Sequence, residues 1–191
     1  DNGTSVYDDG TWYAIGGGDG MECAVDPTDA MYRYTSLYYG SINRVYNTTG
    51  QGTIAGNGVN GITEEGAWVT PFLIDENDPN TMFIGYKNVW RSNNIKASNI
   101  NTILWEKISE LNTSNMNELE QSPANTDILY AASGNTLYRC NNAHAEYPNW
   151  LNLSSNLPNT GAIADLEAHP FLEDVVYLAQ NKKVYKSTDQ G

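Results

Sequence analysis

The chain has 191 residues and a formal net charge of −13, with only 17% charged residues against 40% hydrophobic ones. That length suffices for one domain with a sizeable core, and the acidic balance argues against phosphate backbones and anionic membranes as partners, because like charges repel. Gly and Tyr are plentiful, at 17 and 13 residues, which is the composition of an extracellular β-protein rich in turns rather than of a cytosolic helical one.

In chain order, residues 1–15 read as the end of a preceding repeat unit, with Asn2-Gly3-Thr4 and Gly10-Thr11-Trp12 as its punctuation. Residues 16–66 form an irregular unit. It opens on Gly16-Gly17-Gly18-Asp19-Gly20, the most Gly-dense stretch of the chain, and continues through Glu22-Cys23-Ala24-Val25-Asp26-Pro27. Tyr32, Tyr34, Tyr38, Tyr39 and Tyr46 follow, and the Gly/Asn/Thr-rich residues 48–66 are expected to form a long loop on one rim. Two fuller units, 67–114 and 115–160, come next, and an incomplete one, 161–191, closes the chain. No apolar run is long enough to insert into a membrane.

The units share a period. Phe83, Tyr130 and Tyr177 are spaced 130 − 83 = 47 and 177 − 130 = 47. Leu166 follows Leu119 by 166 − 119 = 47, Leu119 follows Phe72 by 119 − 72 = 47, and Phe72 follows Cys23 by 72 − 23 = 49. A period in this range, built from short alternating β-branched and aromatic runs with no helical pattern, reads as β-propeller blades of about four strands each. In the third unit the strands are expected at 116–121, 128–132 and 136–139, with an outer strand beginning at Trp150. The first lines a central channel. The fold class is therefore all-β, a propeller of about four blades, expected to be an arc of a larger one completed by more of the same chain. Cys23 and Cys140 stand in no metal-ligand spacing; Cys23 shares its repeat position with Phe72, Leu119 and Leu166, so both cysteines read as buried small hydrophobes.

Each unit also repeats a turn. Ser187-Thr188-Asp189-Gln190-Gly191 is a tight-turn signal, with Asp accepting hydrogen bonds from its own turn and Gly tolerating positive φ. Worn copies stand at Ser92-Asn93-Asn94 and Cys140-Asn141-Asn142, each preceded by an arginine, Arg91 or Arg139, whose repeat position makes it structural.

With this turn and the 47-residue period, the chain resembles the Asp-box (BNR-repeat) propellers, which include sialidases, the sortilin ectodomain and xyloglucan-degrading glycosidases. It is most similar to the sortilin-like and xyloglucanase-like propellers of large secreted surface proteins of Bacteroidetes-type bacteria, on Asp1-Asn2-Gly3-Thr4, Trp12 and Gly17-Gly18-Asp19-Gly20 in that order. The resemblance implies an extracellular or cell-surface location and a structural role for Ser187, Asp189 and Gly191. It leaves the function open between a non-catalytic binding or scaffold module, with a glycan or surface protein as partner, and a glycoside hydrolase. The sialidase arginine triad cannot be assigned on Arg33, Arg44, Arg91 and Arg139.

Candidate site residues follow from chemistry. Gly18, Asp19 and Gly20 let backbone approach a ligand closely beside a carboxylate; the alternative is a tight connection in which Asp19 caps its own turn. Glycosidase chemistry needs two flanking carboxylates, and the acids near the proposed rim are Asp19, Glu22, Asp26, Glu64 and Glu65. Asp19 and Glu22 are the catalytic candidates, with Glu64 or Glu65 as a partner to Asp19, while Asp26 reads as a turn residue. Tyr38 and Tyr39 offer aromatic faces for sugar rings. His144 and His169 have no second ligand nearby, so no metal site is assigned; Ca2+ is compatible with the acidic charge but no motif supports it.

Overall fold

The structure is a computed structural model that describes residues 2–191; Asp1 of the opening Asp-Asn-Gly-Thr segment lies outside them. It begins with a hairpin of β1 (Thr4–Asp8) and β2 (Thr11–Gly16). Three four-stranded antiparallel meanders follow. The first is β3 (Cys23–Val25), β4 (Tyr32–Leu37), β5 (Ser41–Tyr46) and β6 (Thr49–Ala55). The second is β7 (Phe72–Ile74), β8 (Met82–Gly85), β9 (Val89–Ser92) and β10 (Glu106–Lys107), and the third is β11 (Glu118–Gln121), β12 (Leu129–Ser133), β13 (Thr136–Cys140) and β14 (Trp150–Asn152). A three-stranded sheet of β15 (Ile163–Ala168), β16 (Val176–Gln180) and β17 (Lys183–Ser187) completes the described residues. No α-helix is found among them, only short 3-10 turns.

The sheets stack face to face, and each core lies between two of them. Met82 and Ile84 of β8 pack with Tyr34, Ile42 and Ile54 of the first sheet, whereas Phe83 between them packs with Leu119, Leu129 and Ala131 of the third. Strand alternation sends successive side chains to opposite faces, and here both faces are covered. That is why Met82-Phe83-Ile84 is apolar throughout. β12 repeats the logic, with Leu129 and Ala131 on one side and Tyr130 and Ala132 on the other. Each fully buried large side chain contributes about 1.5–3 kcal/mol. β11 lies between β7 and β15, so the first strands of successive sheets line one inner edge. The molecule is an arc of about four propeller blades.

The repeat positions are structurally equivalent. Cys23 pairs Thr35, Phe72 pairs Ile84, Leu119 pairs Ala131 and Leu166 pairs Leu178. Two expectations need correction. Cys140 is buried but Cys23 is exposed, because no second four-stranded sheet covers its face of β3 among the described residues. Residues 48–66 are not one loop: Thr49–Ala55 is β6, the outer strand of the first sheet, held to β5 across two register shifts. Gly50 and Gly52 disguise it as loop in the sequence.

Candidate functional site

In a meander every other connection falls at the same end. The β3–β4 and β5–β6 type connections share one end of the blades; the β4–β5 type and the sheet-to-sheet connections share the other.

The first end is a structural belt. Asp26 accepts from the Thr28 and Asp29 amides at 2.7 and 3.0 Å, and Asp75 from those of Asn77 and Asp78 at 2.8 and 2.7 Å. His169 Nδ1 accepts from Phe171 N at the same repeat position. Asp26 is thus a turn residue, and its other oxygen pairs with Lys96 of the next sheet. Asp75 reaches forward in the same way to His144 Nε2, at 2.6 Å. Burial opposes both carboxylates, but Lys96, the Thr28 hydroxyl and the amides for Asp26, and Gln121, the amides and His144 for Asp75, hold their pKa values below the usual range. Burial also disfavours the His144 imidazolium, and hydrogen bonds to Asp127 and Asp75 overcome it and raise its pKa.

Three arginines knit the same belt. Arg44 Nη1 donates to Ile95 O at 2.6 Å, Arg91 Nη1 to Ala143 O at 2.6 Å and Arg139 Nη1 to Gln190 O at 2.8 Å, each crossing to the next sheet. In the turns themselves, Asn94 Oδ1 accepts from Leu104 N and Asn142 Oδ1 from Asn149 N, fixing the residue before each Trp. Trp105 and Trp150 then donate Nε1–H back to Ile54 O and Ile108 O of the preceding sheet. Ser187 Oγ hydrogen-bonds the Asp189 carboxylate and accepts from Gly191 N at 2.8 Å. Arg44, Arg91, Arg139, Trp105 and Trp150 thus join successive sheets, whereas the Asn94, Asn142 and Ser187 bonds stay within their own turns.

The opposite end carries open chemistry. Tyr38 and Tyr39 lie in a 3-10 turn, Tyr38–Gly40, in which Tyr39 takes a left-handed backbone at φ 62°, a costly conformation for a bulky residue that clusters at functional sites. The turn is clamped: Tyr86 OH donates to Gly40 O at 2.8 Å, Tyr39 N donates to Ala67 O at 3.1 Å, and Gly66 N donates to Tyr39 O at 3.2 Å. This backbone ladder places Trp68 against both tyrosines. Tyr38 stacks on it at 5.2 Å between centroids and 14° between planes, while Tyr39 meets it edge-on at 5.4 Å and 88°. All three rings are exposed, Trp68 by 51%. Beside them lies a cleft of about 360 Å³ lined by Tyr39, Glu65, Gly66, Lys87 and Asn115.

The glycine-rich stretch reaches this end too. Met21 N donates to Ser36 O, and Gly18 lies against Leu37, next to Tyr38. Much of its glycine content serves packing, because a Cβ on Gly20 would meet Gly3 O at 2.5 Å. Asp19 is half-buried and Glu22 exposed. The Glu64 carboxylate accepts from Lys87 N, Asn88 N and Asn88 Nδ2 at 2.8–3.1 Å and anchors the loop. Tyr34 is buried in the core.

Sequence reasoning missed Trp68 and two glutamates. Trp68 falls outside the register shared by Trp105 and Trp150, and that mismatch is the signal that it is not a blade tryptophan. On the inner strand β11, burial above all, with Asp165 near the first and Glu167 near the second, pushes the carboxyls of Glu118 and Glu120 up to about 7. They are protonated in part at neutral pH. Among the described residues no group of three or more His, Cys, Asp or Glu is placed to hold a metal ion.

Comparison with known folds agrees with this architecture: the chain is a β-propeller section. No family model and no curated protein matches it. Among solved structures it is similar to an ancestral GH74 enzyme, with TM-score 0.66 and 18% identity over 92% of this chain and 23% of that one. It is also similar to an auxiliary nutrient binding protein from Bacteroides thetaiotaomicron, with TM-score 0.58, 12% identity, and 88% and 38% coverage. A third likeness is to the β-propeller domain of Myceliophteria thermophila Cps50 (Swd1), with TM-score 0.59, 11% identity, and 88% and 53% coverage. The chain therefore spans about a quarter to a half of the structures it matches, and at these identities the likeness establishes the fold alone.

Proposed function

We propose that this chain is a non-catalytic binding section of a secreted or cell-surface propeller protein of the Asp-box, sortilin-like or xyloglucanase-like kind, with a glycan as its ligand. One observation carries the reading: Tyr38, Tyr39 and Trp68 form an exposed aromatic corner on a clamped loop, beside the glycine-rich stretch and at the end of the blades that the structural belt does not use. Aromatic faces pack on the C–H faces of sugars, and such surfaces are rare in water without a ligand. Two of the fold neighbours, a GH74 enzyme and a nutrient binding protein, are compatible with it. The other blades of its own propeller are the remaining partner, because every core here lies between adjacent sheets.

A second reading, glycoside hydrolysis with Asp19 and Glu22 among the acids, draws on the placement of the Gly16-Gly17-Gly18-Asp19-Gly20 stretch at the same end as the corner. Electrophoresis through gels carrying soluble polysaccharides, with a parallel assay of reducing ends, separates the two. Retardation without new reducing ends is the expected result. Release of reducing ends that disappears in Asp19→Asn establishes the hydrolase instead, and neither retardation nor release by any polysaccharide overturns both.

A further inference from the structure

The cleft beside the aromatic corner has a donor and acceptor set of a particular kind. Glu65 supplies only acceptors and Lys87 only donors, and among the described residues the Lys87 ammonium joins no ion pair. Asn115, whose side-chain amide carries both a donor and an acceptor, lines the same cleft. Vicinal hydroxyls, each able to donate and accept, match this mixed set. A sulfate or carboxylate would face Glu65 and a chain of net charge −13, and a purely apolar ligand would leave every polar group unmet.

Resting on the glycan reading above, we infer that Trp68, Lys87 and Asn115 form a subsite for an uncharged pyranose: its apolar face lies on the Trp68–Tyr39 corner and its hydroxyls enter the cleft. The ligand class is thus neutral polysaccharide, not uronate-bearing or sulfated glycan. Tyr39 contributes to both halves, as a wall of the cleft and as the ring perpendicular to Trp68.

The test is affinity electrophoresis and titration calorimetry with neutral polysaccharides (a mixed-linkage β-glucan, glucomannan, galactomannan and arabinoxylan) and anionic ones (polygalacturonate and chondroitin sulfate). At least one neutral polymer is expected to bind and neither anionic one. Trp68→Ala is expected to weaken binding about tenfold or more, as loss of an aromatic platform does, and Lys87→Ala and Asn115→Leu severalfold. Tyr147→Ala, at a side chain 81% exposed on the β13–β14 connection at the far end, serves as a control with wild-type binding. Trp68, Lys87 and Tyr147 are exposed, so these variants fold. Preference for an anionic polymer, or neutral binding untouched by Trp68→Ala and Lys87→Ala, overturns the subsite while leaving the glycan reading intact. Absence of all binding overturns both.

Discussion

His144 and Asp75 stand on successive sheets and meet at 2.6 Å, the imidazole being held on its other side by Asp127 at 2.9 Å. One repeat earlier Lys96 and Asp26 make the equivalent bridge. The second junction differs in using an imidazole, which titrates. The folded His144 pKa lies above its ordinary 6.5, so its stabilisation is fully present below about pH 6.5 and fades as pH rises through the raised value. Asp75 has a folded pKa below its ordinary 3.8, so its contribution is present above that and is lost as pH falls through the folded value. His144→Gln should lower the melting temperature near pH 5.5 by about 2–4 °C, for a bridge worth about 1 kcal/mol after allowance for its partial exposure. The difference should shrink as pH rises through that raised value. A difference independent of pH would show that the imidazole acts through packing alone.

Glu118 and Glu120 push stability in the same direction by a different route. Their folded pKa values are raised from 4.5 to about 7, so the folded chain holds their protons more tightly than the unfolded one. Their favourable contribution is complete below about 4.5 and is lost as pH rises through about 7. Glu118→Gln and Glu120→Gln should therefore raise the melting temperature at pH 8 and leave it unchanged at pH 4. A destabilised Glu120→Gln at pH 8 would mean that the charged form is needed to accept from Ala168 N, which it does at 2.9 Å.

What was readable in the sequence was whatever recurs. The 47-residue spacing placed Leu119 and Leu166 on equivalent strand positions because blades repeat their register, and Arg91 and Arg139 were marked as structural because they precede a repeated turn. What does not recur was harder to read. β6 was hidden because Gly50 and Gly52 replace the β-branched residues that usually announce a strand. The place of Cys23 in the repeat implied burial, but burial depends on a neighbouring sheet, not on the residue. Of the aromatic corner, Tyr38 and Tyr39 were visible as candidates, while Trp68 joins them through the Tyr39–Ala67 backbone pairing, a tertiary contact with no sequence signature. Glu118 and Glu120 look like ordinary strand glutamates until β15 is packed beside β11.

The arginine belt predicts an order of effects. Arg91 donates Nη1 to both Ala143 O and Ala145 O and Nε to Glu106 at 2.8 Å, and its side chain is 4% exposed. Arg91→Met strands two carbonyls and should cost about 2–4 kcal/mol in chemical denaturation. Arg139 makes one such bond, to Gln190 O, and is half-buried, so Arg139→Met should cost clearly less. Equal losses would show that the aliphatic stems, not the inter-sheet hydrogen bonds, carry the stabilisation.

Gly40 connects fold and site. Its φ is +77°, and a Cβ there would meet Tyr86 Cε1 at 2.4 Å, the ring whose hydroxyl holds the Gly40 carbonyl. Gly10 has nearly the same φ, +79°, with nothing near its missing Cβ. Gly10→Ala should thus cost only the left-handed backbone, about 1 kcal/mol, and leave ligand binding as in the wild type. Gly40→Ala adds a clash inside the core and should cost about 3 kcal/mol or more. Because Tyr86 is buried and cannot yield, the Tyr38–Gly40 turn must move, and the stack of Tyr38 on Trp68 should open. Near-ultraviolet circular dichroism reads that stack directly, so its signal should change in Gly40→Ala and not in Gly10→Ala. If the signal and polysaccharide binding both survive Gly40→Ala, the corner is held by Trp68 and the Tyr39 backbone without the Tyr86 clamp.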